Sequence, residues 1–423
     1  MTPTFSAILL LIINLGLLWL MMAAPIGRRT ILIRRPLASD PQRLWDAVRP
    51  GGPLSGWNPS IVSSQPDADN PGRIAIAYRQ PDRRGKPVLR VFEIDDHVDS
   101  EHGLYEYRAR VVDDSTLDLS FWRNFEENRS ISPDVGGAML TVSLTDSYRG
   151  LAFLLFRYLM IRRELSSLQA WLKDGTAKTG GLLEHPLTQV LLAVLSTLML
   201  WPFFGLHPIG LVLSTTLTIV IVLHEIGHMA AYRAFGHKTV RMIFVPLLGG
   251  IAIGGRPYNS RFEVATCALM GGGMSAFLVP VAIALHDAAD SHMTPSTFEP
   301  ATLVFLLILG AFNLLNLLPM HRFDGGQVLR QIFEGPLMRL AGSFGVTLVI
   351  LWVGVRIGLP PSALMAGLAV FTLMSLIGMT SVKPREALEA ITPGERLMAG
   401  FGLYSAVALH AYAVVFACDR LFG

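Results

Sequence analysis

The chain has 423 residues, of which 51% are hydrophobic and 16% charged, and its mean hydropathy is +0.46. These proportions exclude an ordinary water-soluble globular protein and describe a polytopic membrane protein with a water-soluble part. A net charge of +3 gives no reason to expect a nucleic-acid partner. The two cysteines, Cys267 and Cys418, lie far apart in apolar surroundings and make neither a disulfide framework nor a cysteine metal site.

The first element is the apolar run Phe5–Ala24, about 20 residues and long enough to cross a bilayer. Its basic neighbours Arg28, Arg29, Arg34 and Arg35 follow it rather than precede it. That order predicts a signal anchor with its N-terminus outside, not a cleaved leader. A polar region then runs from about Ile31 to Gly181. It opens with a short helix, Pro41–Val48, behind Ser39-Asp40. Strands are predicted over Arg73–Arg79, Val88–Ile94, Leu104–Val112, Leu117–Asn124 and Ala138–Asp146, most of them β-branched or aromatic and bounded by Gly, Pro, Asp or Ser. A long helix, Leu151–Leu172, closes the region with Phe153, Phe156, Leu159, Met160, Leu165, Leu168 and Trp171 on helical spacing. Arg149, Arg157, Arg162 and Arg163 make this helix and its lead-in basic, suited to anionic headgroups.

Beyond residue 181 the chain is mostly hydrophobic. Spans are predicted near Leu187–Phe204, Ile209–Ala231, Val264–Leu285, Thr302–Pro319, Leu340–Val355, Ala363–Met379 and Met398–Phe416, making about eight with the first. Alternation from an outside N-terminus puts the basic loops around Arg233–Arg241, Arg256–Arg261 and Lys383–Arg396 in the cytoplasm, with the polar domain. The stretch Met242–Gly255 is apolar but short and broken by Pro246 and paired glycines. A re-entrant hairpin is expected there, since irregular backbone at membrane depth must be buried or line a cavity.

One apolar span ends in His224-Glu225-Ile226-Gly227-His228. On a helix, histidines four residues apart share a face and can grip one metal ion, with Glu225 beside it. Ionisable groups in a span are costly and normally have a partner and a task. Two imidazoles leave zinc short of ligands, because a catalytic site has three protein ligands and an open position. Phe312–Gly326 closes a later span on the same side, and Asp324 is the expected third ligand; His321 is its competitor, better suited to the rim. Asn313 and Asn316 share one face of that span. They fit helix-to-helix hydrogen bonding, or, for Asn316, a hold on a substrate carbonyl or developing oxyanion.

His224-Glu225-x-x-His228 followed by Asn316-x-x-Pro319-x-x-x-x-Asp324-Gly325 resembles the paired signature of the site-2 protease family of intramembrane zinc metalloproteases, over roughly Leu187–Glu334. Where family members often carry Gly-Pro and a later Asn, this chain has Gly272-Gly273-Met274-Ser275-Ala276. The resemblance implies zinc held by His224, His228 and Asp324, Glu225 as general base, and Asn316 as a catalytic amide. The substrate would be the transmembrane segment of another protein, unwound locally and paired as a strand along the Val245–Ile253 hairpin. The polar region, with Leu44-Trp45-Asp46-Ala47-Val48 and Trp57-Asn58-Pro59-Ser60, resembles the helix-grip fold of the START-like (polyketide cyclase and lipid-transfer) superfamily. A hydrophobic ligand regulating the protease is what that resemblance suggests.

The fold class expected is therefore a polytopic α-helical membrane protein with an α+β helix-grip domain inserted after its first helix. Its parts are a signal anchor (1–30), a cytoplasmic START-like domain (31–180), a metalloprotease core (181–335) and accessory helices (336–423). A bacterial-type inner membrane is the expected location. The competing function is a lipid-binding or transport protein whose metal is structural; a structural zinc has four protein ligands and no use for Glu225.

Overall fold

The computed structural model describes residues 16, 19–21, 23–67, 70, 72–175, 185–245, 249–290, 298–377 and 383–423. The chain divides into two compact units. One comprises Met1–Thr179 with Thr380–Ala387, the other Gly180–Met379 with Leu388–Gly423. The predicted first span, Phe5–Ala24, lies almost wholly outside the described residues.

The first unit is built on a seven-stranded antiparallel sheet in the order β1-β7-β6-β5-β4-β3-β2. Its strands are β1 (Pro25–Leu37), β2 (Ile61–Pro66), β3 (Arg73–Pro81), β4 (Pro87–Asp99), β5 (Leu104–Asp114), β6 (Glu126–Asp134) and β7 (Gly137–Arg149). Helix α1 (Pro41–Val48) forms where expected: Asp40 caps it by accepting from the Gln42 and Arg43 amides, and Pro41 pre-sets its first turn. Helix α2 (Leu151–Asp174) packs against β1 and β7 and buries Ile161, Leu165 and Leu168 in a core shared with Leu44, Trp45 and Leu140. The layout is helix-grip-like.

Three strands and one turn differ from expectation, the first being β2, a six-residue edge strand whose second part is Ser-Ser-Gln-Pro. β1 was hidden by its arginines, yet Ile31 and Leu37 point inward while Leu32 and Arg34 point out. β6 was hidden because two of its inward residues, Glu127 and Arg129, are charged and only Ile131 is apolar. Arg129 is buried between Glu127 (2.7 Å) and Glu164 of α2 (2.8 Å), and Glu127 also accepts from the Tyr107 hydroxyl (2.8 Å). Burial holds that phenol well above its usual range. The predicted strand Leu117–Asn124 is instead a turn and a short 3-10 segment. Asp114 takes the Thr116 and Leu117 amides at 2.8 and 2.9 Å and pairs with Arg90, also at 2.8 Å. Burial by itself raises that carboxyl, but these hydrogen bonds prevail and hold it below the usual carboxylate range. Residues 383–387 return to this unit: Pro384 bridges Leu117, and Arg385 donates to Thr116 O (3.0 Å) and Asp113 Oδ1 (2.6 Å).

The second unit is helical. Its elements are α3 (Pro186–Leu200), α4 (Pro208–Ala234), the hairpin β8 (Arg241–Val245) and β9 (Gly249–Ile253), α5 (Arg261–Ala276), α6 (Leu278–Asp290), α7 (Phe298–Asn316), α8 (Asp324–Ile332), α9 (Pro336–Arg356), α10 (Pro361–Ile377) and α11 (Pro393–Phe422). Among the described residues, six helical stretches are long and apolar enough to cross a membrane: 186–204, 208–234, 261–288, 299–316, 336–356 and 393–422. They match six of the eight expected spans. The expected span Ala363–Met379 corresponds to α10, whose 17 residues rise about 26 Å against a hydrocarbon core of about 30 Å. A count of eight is therefore not established. Helix α11, read from sequence as accessory, packs on α5 and α7 in the heart of the unit.

Candidate metal centre

Helix α4 carries both histidines. Its N-terminal half has no charge, and its C-terminal half buries His224, Glu225 and Gly227 against α5 and α7. Among the described residues, His224, Glu225 and His228 form a group whose ligand atoms all lie within 4.8 Å of one another. Asp324, the first residue of α8, brings its Oδ2 to 3.0 Å from His224 Nε2 and 3.3 Å from His228 Nε2. The two Nε2 atoms are themselves 3.0 Å apart. Asp324 does not cap α8, since the position before the helix is Phe323. Its carboxylate is free for another task.

The other ring nitrogens fix the tautomers. His224 Nδ1 lies 2.8 Å from Asn313 Oδ1, and the Asn313 amide nitrogen donates to Leu309 O (2.8 Å), which sets Oδ1 as the acceptor. His228 Nδ1 lies 2.6 Å from the Cys267 carbonyl, which can only accept. Each Nδ1 therefore carries its hydrogen, and each Nε2 presents a bare lone pair to the other and to Asp324 Oδ2. Oδ2 is buried and makes no hydrogen bond of acceptable geometry. Three electron-rich atoms crowded at 3.0–3.3 Å repel unless a cation lies among them. A tetrahedral zinc with bonds near 2.0 Å spaces its ligands at about 3.3 Å, so the donor set fits that ion.

Gly271 of α5 leaves the space. A Cβ there would fall 2.4 Å from His228 Nε2 and 2.6 Å from His224 Nε2. Gly250 does the same for the carboxylate beside them, since a Cβ would meet Glu225 Cγ at 2.4 Å. Glu225 is buried, and its Oε2 accepts from the Ala252 amide of β9 (2.7 Å). The outer edge of β8 meets α3, where the Phe244 amide donates to Gln189 Oε1 (2.6 Å).

Asn316 lies one turn from the cluster's support. Its amide nitrogen donates to Phe312 O (3.0 Å) within its own helix. His321 faces Arg330, whose guanidinium contacts its Nδ1 and its carbonyl. The residue that sequence reasoning underrated is Asn313, fully buried against His224. Replacing it with Leu strands a buried imidazole N–H, and zinc retention should fall by about 10–100-fold in a chelator competition, while Asn313→Asp should keep most of it. His410 was missed altogether. It is buried in α11 with Nε2 at 2.9 Å from the Gly272 carbonyl, next to Gly271, and a lone histidine in so apolar a helix was the available signal. At the start of α5, buried Glu263 gathers His237 Nε2 (2.8 Å), Arg256 (3.0 Å) and the Asn259 amide (2.7 Å), one turn before Cys267.

No family model matches the chain. It is 26% identical over 125 residues to a zinc metalloprotease of Methanocaldococcus jannaschii, covering 29% of this chain and 34% of that one. It is 30% identical over 124 residues to stage IV sporulation protein FB of Bacillus subtilis, covering 29% and 40%. The chain thus spans between a third and two fifths of the curated relatives it matches. Among solved structures, a START superfamily protein from Mycobacterium smegmatis aligns over 36% of this chain and 99% of its own, at 11% identity and TM-score 0.27. At that score the description of the first unit rests on its own strand order. The first of these relatives carries zinc metalloprotease chemistry in its name, and the match covers 29% of this chain.

Proposed function

We propose that the protein is a zinc-dependent endopeptidase that cuts transmembrane segments of other membrane proteins. The observation that carries this reading is the convergence of His224 Nε2, His228 Nε2 and Asp324 Oδ2, three bare donors from two distant stretches of chain, beside an unligated carboxylate. Zinc bound there would supply a Lewis acid and a water acidified to near neutral pKa. Glu225, anchored through one oxygen by Ala252, is the group placed to take a proton. Asn313 and the Cys267 carbonyl hold the rings in one tautomer. An unwound segment would pair along the outer edge of β8 in place of Gln189, and pairing would satisfy backbone groups that lipid leaves bare. Asn316 is assigned to the substrate carbonyl, with its amide turning from Phe312 O when a peptide arrives.

The name of one relative, a zinc metalloprotease, supports the same reading. The charge pattern puts the N-terminus outside and the helix-grip domain in the cytoplasm. Regulation of the protease by a hydrophobic ligand of that domain is part of the proposal. The test is cleavage of single-span substrates by the reconstituted protein. A zinc chelator should abolish it and added zinc restore it, and cleavage indifferent to the chelator would refute the assignment.

A further inference from the structure

Helix α2 changes character at residue 161. Its second half is an ordinary surface helix, with Ile161, Leu165 and Leu168 buried on the sheet and Arg162, Arg163, Ser166 and Gln169 facing out. Its first half, Leu151-Ala152-Phe153-Leu154-Leu155-Phe156, carries no polar side chain at all, and Tyr158, Leu159 and Met160 follow after Arg157. The outward side of that half is apolar: Phe153 is 51% exposed, Leu155 49%, Phe156 63% and Leu159 53%. The one charge within it, Arg157, is drawn to Asp146 at 3.6 Å. A helix apolar all round belongs in a core or in lipid, and among the described residues nothing covers this one.

The position of this half says what does. The Gly150 amide, directly before α2, donates to the Ala24 carbonyl at 2.8 Å, and Arg149 pairs with Pro25. Ala24 is the last residue of the apolar run that the sequence marks as membrane-spanning. A span ending at Ala24 would leave the bilayer at the point where α2 begins. Ten residues of helix, 151–160, extend about 15 Å from there. Arg149, Arg162 and Arg163 bracket the apolar stretch and are exposed, as headgroup-facing cations should be.

We infer that the first half of α2 lies in the lipid interface, its aromatic and aliphatic side chains reaching the acyl boundary and its flanking arginines meeting anionic headgroups. The partner is the bilayer that carries the chain itself. The helix-grip domain then rests on the membrane through α2 and does not swing freely on its anchor. This holds whether or not the second unit is a protease.

The full chain, with Cys267→Ala and Cys418→Ala, tests it. Single cysteines are placed as Phe153→Cys, Phe156→Cys or Lys173→Cys, labelled with an environment-sensitive fluorophore and reconstituted in phosphatidylcholine–phosphatidylglycerol vesicles. Nitroxide on the lipid acyl chain should quench the probe at 153 and at 156 about threefold or more as strongly as at 173, which lies about 26–30 Å further along the helix. Equal quenching at all three positions overturns the inference, as does protection of 153 and 156 from acyl-chain and headgroup nitroxides alike, which would mean that protein covers this face.

Discussion

Glu225→Gln should leave the protein folded and loaded with zinc while lowering peptide-bond hydrolysis by about 10²–10⁴-fold, the contribution of a positioned general base. Several features make this substitution clean. The glutamine keeps the length and an oxygen that can accept from the Ala252 amide, so the tie to β9 survives. Gly250 leaves room for the side chain whatever its charge. Glu225 is not one of the three donors crowded at 3.0–3.3 Å, so metal content should not change. Metal analysis beside initial rates on one single-span substrate checks both halves. A variant that cleaves at the parent rate would remove Glu225 from the chemistry, and one that loses its zinc would make Glu225 a ligand.

Asp324→Ala should have the opposite signature. The fold should persist, because Asp324 does not cap α8. The metal should not, because His224 and His228 alone leave the ion two-coordinate. Zinc affinity should drop by more than about 100-fold, beyond the usual cost of losing an outer hydrogen-bond partner, and hydrolysis should vanish with it. Equilibrium dialysis against a zinc buffer reads the affinity, cleavage of a single-span substrate reads the hydrolysis, and helical circular dichroism checks that the fold persists. Retention of full zinc affinity would place the third ligand elsewhere, with His321 excluded only if His321→Ala also binds normally.

How legible was this in the sequence? The ends of α1 were, because Asp40 and Pro41 act locally and their physics is complete within four residues. The shared face of His224 and His228 was, because a spacing of four puts two side chains on one side of a helix. Asp324 could be reached only through the requirement for a third ligand, since nothing within its own segment shows that α8 returns to α4. Asn313 and the Cys267 carbonyl were beyond reach for a stronger reason. One is a buried amide like any other, and the other is backbone, which no residue type encodes. β6 escaped because a strand that buries Arg129 between two glutamates looks like surface until the partner Glu164 arrives from a distant helix. The Leu117–Asn124 stretch misled in the other direction: its apolar residues suggest a strand, but Asp114 and Asp118 capture the following amides and turn the chain. The small residues of α5 were noticed and their use was not, since Gly271 gains its meaning from two imidazoles that sit against it.

X-ray absorption at the zinc edge, on the purified full chain and on Asp324→Ala, weighs the convergence of α4 and α8 on one ion. The parent should bind about one zinc per chain with nitrogen and oxygen neighbours near 2.0 Å, two of them imidazole and none sulfur. Asp324→Ala should come through purification without the metal. A parent with no zinc, a shell containing sulfur, or a variant whose spectrum matches the parent's would contradict the account.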